Sequence, residues 1–198
     1  MTTQTHDVLH HESAATVGVR DRQGVLLLVL ADAAFALSVV FSYFYLRMGN
    51  TSNGWIPVDG GTADKMNSWI VVGALIVSAL LFRLGFKATS LSNKGRSLAC
   101  YSLSGVTMLL ATGIQLDQIL HIPFGVSEGT YSSCYYLITY TNLIHLVLTA
   151  FIVLGIANRD RLGLLNSEKR WHPLVSNIWL NWVVISATLG AICTMYVK

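Results

Sequence analysis

The sequence predicts an all-α, polytopic membrane protein, a bundle of five transmembrane helices with its N-terminus in the cytoplasm and its C-terminus outside. Three observations carry this expectation. Hydrophobic residues make up 53% of the 198-residue chain and charged residues only 12%, roughly half the charge of an average soluble domain. Apolar runs long enough to cross a bilayer core of roughly 30 Å, at about 1.5 Å per residue, recur five times. The lysines and arginines fall between these runs or at their ends.

Residues 1–21 are polar, carry acidic groups and lack a short apolar run followed by an Ala-x-Ala-like site. They read as a flexible cytoplasmic tail rather than a cleaved signal, and the first span is expected to serve as its own insertion signal. His6, His10 and His11 are the tail's only unusual feature, with polar linker favoured over a metal site. The membrane domain then covers 22–198.

Its first span, about 23–46, holds a single charge, Asp32. A carboxylate facing lipid at that depth costs at least about 2.5 to 3.5 kcal/mol. Asp32 is therefore expected to face helices, lipid headgroups or water, or to hold its proton. Ala31, Ala34, Ser38 and Ser42 form a small-residue face, expected to point inward or toward a partner, that permits close backbone approach.

The second span, about 68–86, follows a connection rich in Gly, Asn and Asp, and the third, about 98–120, follows a basic one. The fourth, about 134–157, follows Pro123, Gly125 and Gly129, and the fifth, about 175–197, follows a charged segment containing Pro173. On the third, Gly105, Met108, Thr112 and Gln115 share a face, with Asp117 and Gln118 nearer its outer end. Asn142, His145 and Thr149 line the fourth, and Asn177, Asn181 and Thr188 the fifth.

The simplest role for such groups is to fasten helices together, at about 0.6 kcal/mol each and seldom above 2. That role is expected of Asn142, Thr149, Asn177 and Asn181. His145, near the centre of its span, needs a buried partner, and a hydrogen-bonded structural histidine is favoured over a ligand or proton-transfer group.

Arg20, Arg22, Arg83, Lys87, Lys94, Arg96, Arg159, Arg161, Lys169 and Arg170 fall on one side, and Arg47, Lys65 and Lys198 on the other. This bias predicts the orientation. Trp55, Trp69, Trp171, Tyr135 and Tyr136 lie near span ends, where amphipathic rings belong. With its basic residues in membrane loops, the chain offers no nucleic-acid-binding surface, and it carries no phosphate-binding loop, zinc-protease signature or nucleophile elbow. Only His145 is central among the histidines, and Cys100, Cys134 and Cys193 form no metal or haem motif, so no metal or redox centre is expected in this chain. Five spans do not divide into two equal inverted repeats, which weakens a transporter reading.

Several strings, taken in order, resemble subunit III of haem-copper respiratory oxidases in its five-helix form. In the first span they are Gly24 to Leu30, Asp32, Phe35, Phe41 to Tyr45, and Arg47, with aspartate where most members have glutamate. In the third, Gln115-Leu-Asp117-Gln118 is similar to the family's Gln-x-x-Glu, with Gln118 in place of the acid. In the fourth, Tyr135-Tyr136, Thr139 and Asn142-Leu-Ile-His145 are similar to its aromatic pair, threonine and His-Gly-Leu-His string, with Asn142 for the first histidine. The fifth opens with Trp171-His172 and continues to Trp179, with Ser176 where the family has aspartate.

The resemblance implies a non-catalytic subunit without cofactors of its own, packed on catalytic subunit I, which holds haem and copper, and beside other oxidase subunits. It implies bound phospholipid in a cleft between the first two helices and the remaining three, and support of proton uptake and turnover stability. Asp32, Arg47, Gln115, Asp117, Gln118 and His145 are the lipid-binding or proton-related candidates. The complex would use cytochrome c or quinol in the inner or plasma membrane of a prokaryote. The alternatives are a small proton-coupled carrier or channel, with Asp32, Gln115 and His145 lining its route, the related accessory subunit of a nitric oxide reductase, and an assembly protein.

Overall fold

The computed structural model describes residues 13–51, 54–56, 64–166 and 170–195. His6, His10, His11, Lys169 and Lys198 lie outside these residues. Five helices follow one another: α1 (Ala14–Gly49), α2 (Lys65–Ser90), α3 (Lys94–Leu120), α4 (Thr130–Arg161) and α5 (Trp171–Met195). By length and composition, each is long and apolar enough to cross a membrane.

Local chemistry sets the ends. The Ser13 hydroxyl accepts from Thr16 N at 3.2 Å, the Asp64 carboxylate accepts from Met66 N at 2.9 Å, and Asn93 Oδ1 accepts from Arg96 N at 3.2 Å. Each satisfies a first-turn N–H that has no partner within its own helix. After α4, Gly163 adopts φ +72°, the left-handed conformation that stops a helix. Pro173 sits in the first turn of α5, where its missing N–H removes nothing.

The Ser13 cap corrects the sequence expectation for the tail, since residues 14–21 extend α1 rather than forming a flexible segment. At about 1.5 Å per residue, the 36 residues of α1 reach about 54 Å, so the helix projects beyond a core of roughly 30 Å. The other helices likewise overrun the apolar runs by a turn or so, because hydrogen bonding continues past the hydrocarbon.

The most extensive interface joins α2 to α3, followed by α3 to α4. The Ser78 and Ser104 hydroxyls are 2.9 Å apart, and each also reaches the other residue's carbonyl, at 3.0 and 2.9 Å. At Gly85 the Tyr101 ring packs so closely that an added Cβ would lie 2.8 Å from it. Helix α5 contacts α1, α2 and α4, while α1 leans mainly on α5 and only slightly on α4. The first two helices are therefore not a pair set against the other three, and the expected lipid cleft between those groups is not formed, because α2 is committed to α3.

Of the two orientations expected for the small-residue face of α1, inward or toward a partner, the bundle does not take the inward one. Ala31, Ala34, Ser38 and Ser42 face outward in this chain, and α1 packs instead through Val25, Val29, Asp32 and Tyr43. Leucines and phenylalanines cover the outer surface, whereas Ser78, Ser104, Gln115 and Thr149 are buried within. This distribution suits a lipid solvent, where polar groups must find partners inside the protein.

Candidate functional site

Asp32 enters the bundle from the packing face of α1, at a level where α4 supplies His145 and α5 supplies Trp179 and Trp182. His145 Nε2 and Asp32 Oδ1 share a hydrogen bond of 3.1 Å, and Trp182 Nε1 donates to Asp32 Oδ2. The carboxylate is 17% exposed and the imidazole 8%, so both charges and dipoles are largely removed from solvent. The pair joins the outermost helix to the bundle interior.

The imidazole is held on two further sides. The Trp179 ring stands edge-on to it, with centroids 5.6 Å apart and planes at 83°. Trp179 Nε1 donates to Thr149 Oγ1 at 3.0 Å, and Thr149 in turn donates to the His145 carbonyl at 2.6 Å. Among the described residues, buried His145 Nδ1 has no hydrogen-bond partner.

A second polar group lies between α2, α3 and α4. Asn142 Nδ2 donates to Gln115 Oε1 at 2.6 Å, and Gln115 Nε2 donates to Gln118 Oε1 at 3.1 Å. Gln118 Nε2 then donates to Ser68 Oγ at 3.0 Å and the Asp64 carbonyl at 3.3 Å. This ladder leads to a mouth lined by Asp64, Asn67, Asp117, Gln118 and His121. Asn142 is one helical turn from His145, which sets the two polar groups side by side on α4.

The remaining sequence candidates divide. Asp117 is exposed and lies 3.2 Å from His121 Nδ1 at the mouth. Arg47, near the far end of α1, stands 5.9 Å from the Trp55 ring centroid and does not join the Asp32 group. Asn181 Nδ2 bonds the Asn177 carbonyl at 2.6 Å, a contact within α5. Sequence reasoning missed Trp179 and Trp182 as site residues; their i, i+3 spacing on the face opposite Asp32 was the available signal.

Between α1, α4 and α5 runs an open groove lined by Phe35, Val39, Ile138, Leu189, Asn142 and Ser186. Its lining is mostly apolar and covers one to two turns of each helix. Among the described residues, no three of His, Cys, Asp and Glu come together as a metal site.

The family model described as cytochrome c oxidase subunit III matches residues 2–186. The chain is similar to cytochrome c oxidase subunit 3 of Prototheca wickerhamii, 24% identical over 187 residues that cover 86% of this chain and 69% of that protein. The subunit 3 of Rhizopus stolonifer is 27% identical over 188 residues, covering 86% and 64%. That of Synechocystis is 19% identical over 167 residues, covering 79% and 70%. The chain thus spans about two thirds of the length of these relatives.

Proposed function

The chain belongs to the cytochrome c oxidase subunit III family, and from that premise we propose that it acts as a non-catalytic accessory subunit of a haem-copper terminal oxidase. It packs on catalytic subunit I, where the haem and copper reside, and the complex draws electrons from cytochrome c or quinol. The observation that carries this reading is the family match running from residue 2, ahead of α1, to residue 186, well into α5. The outward stripe of Ala31, Ala34, Ser38 and Ser42 supports it, since small residues let a second membrane subunit approach the α1 backbone closely.

The cation-rich ends of the helices lie in the cytoplasm, which puts the mouth at Asp64 and His121 on the outer side. The membrane is the inner or plasma membrane of a prokaryote. A phospholipid chain occupies the groove beside α1 rather than a cleft between the first two helices and the rest. Asp32, fixed by two donors beside that groove, ties α1 to α4 and α5 and so holds the groove's shape while the oxidase turns over. Gln115, Gln118 and Asn142 form the polar route next to the pair.

The test is Asp32→Asn in the assembled oxidase, with retained phospholipid and activity followed through many turnovers. We expect a near-normal initial rate, less retained lipid and a progressive loss of activity. Unchanged lipid content together with unchanged turnover stability would reduce Asp32 to a structural fastener.

A further inference from the structure

The interior of the bundle contains a polar cavity as well as the ladder. It is lined by Ser68, Val72, Gln115, Thr139, Asn142 and Ala187, residues from four helices. It offers about 30 Å³ to the centres of water molecules, more than the roughly 10–15 Å³ that one water requires. Gln118, which bonds Ser68 on one side of this cavity, also lines the mouth beside Asp64 and His121. The mouth, the ladder and the cavity are therefore contiguous.

An orphaned atom marks the inner end. Among the described residues, Asn142 Oδ1 is buried with no hydrogen-bond partner, and Asn142 lines the cavity. That oxygen is an acceptor, and a water in the cavity can donate to it.

We infer that water enters the bundle from the Asp64 face and forms a half-channel that ends at Asn142. The inference rests on the polar ladder and its cavity and not on association with an oxidase, so the chain can be tested by itself.

The experiment uses the full chain in sealed vesicles, with Cys100, Cys134 and Cys193 changed to alanine. Single cysteines are placed at the cavity wall (Val72→Cys, Ala187→Cys), at the mouth (Asn67→Cys) and in the dry core (Val153→Cys). Silver ion, a thiol reagent small enough to follow water, is added to the face that Asn67→Cys defines. The expected result is reaction at Val72→Cys and Ala187→Cys about tenfold or more faster than at Val153→Cys, slowed by Gln115→Leu and by adding silver to the opposite face. Cavity cysteines as inert as Val153→Cys, with Asn67→Cys reactive, would overturn the inference. Hydroxyl-radical labelling of the unaltered chain provides the second measurement. Tyr135, 3% exposed, lines the cavity and should be labelled, whereas Tyr101, 0% exposed and away from it, should not; equal protection would overturn the inference as well.

Discussion

Asp32 and His145, 113 residues apart in the chain, meet at 3.1 Å and join α1 to α4, two helices that otherwise barely touch. The carboxylate also receives Trp182 from α5, so one side chain gathers three helices. Asp32→Ala strands both partners and is expected to destabilise the bundle by about 1–3 kcal/mol, whereas Asn, which keeps an acceptor of the same shape, costs about 1 kcal/mol or less. Reversible unfolding in mixed micelles measures both, and equal values would show that the hydrogen bonds do not matter to stability.

Trp182→Phe keeps the aromatic packing and removes only the N–H donor. The expected loss is about 0.5–2 kcal/mol, and the double variant with Asp32→Ala should lose less than the sum of the two single changes. Strict additivity in that cycle would mean that the contact carries no energy.

Close approach at Gly85 makes a different demand. A methyl group there meets the Tyr101 ring at 2.8 Å, and the ring is fixed behind by the Tyr101 to Thr89 hydrogen bond of 3.1 Å. Gly85→Ala should lower stability by about 1–3 kcal/mol. Gly73→Ala, on the same helix with open space around the added carbon, should have little effect or a stabilising one. Thermal unfolding of the two variants side by side decides the matter.

At the cation-rich end, Arg159 donates to His172 Nε2 at 3.1 Å. Burial, then the neighbouring guanidinium, hold the His172 pKa below the usual histidine value, against a smaller opposing pull from Asp21. Because the unfolded chain takes up this proton more readily than the folded one, the contribution to stability is fully present above about pH 6.5 and declines as pH falls below it. Arg159→Gln should raise the His172 pKa and shallow that decline, as read by melting temperature across pH 5 to 8 in wild type, Arg159→Gln and His172→Gln.

The five helices were legible because apolar run length and Gly, Pro and Asn punctuation are local signals. The inward face of α3 was legible for the same reason, since Met108, Gln115 and Gln118 recur at helical spacing and are buried. Asp32 and His145 each stood out as polar groups in apolar spans, but their pairing did not, because no local pattern records which residues 113 positions apart will meet. Trp182 was hidden by its chemistry: indole rings are ordinary in membrane spans, and only the fold shows one N–H aimed at a carboxylate. The rotation of α1 was left open between inward and partner-facing because small residues mark a face suited to close packing without naming the partner, and here the packing within the chain uses Val25, Val29 and Tyr43. The extension of α1 to Ala14 depended on a single serine cap within a polar stretch.

Gentle-detergent purification of the tagged chain from its native membrane asks whether it travels as an accessory subunit of a haem-copper oxidase. The same sample is examined by reduced-minus-oxidised optical spectroscopy and by mass spectrometry. Haem bands and a large redox subunit in constant ratio to the chain through successive columns are the expected result. A haem-free preparation containing the intact chain alone, from membranes that retain oxidase activity, would contradict it.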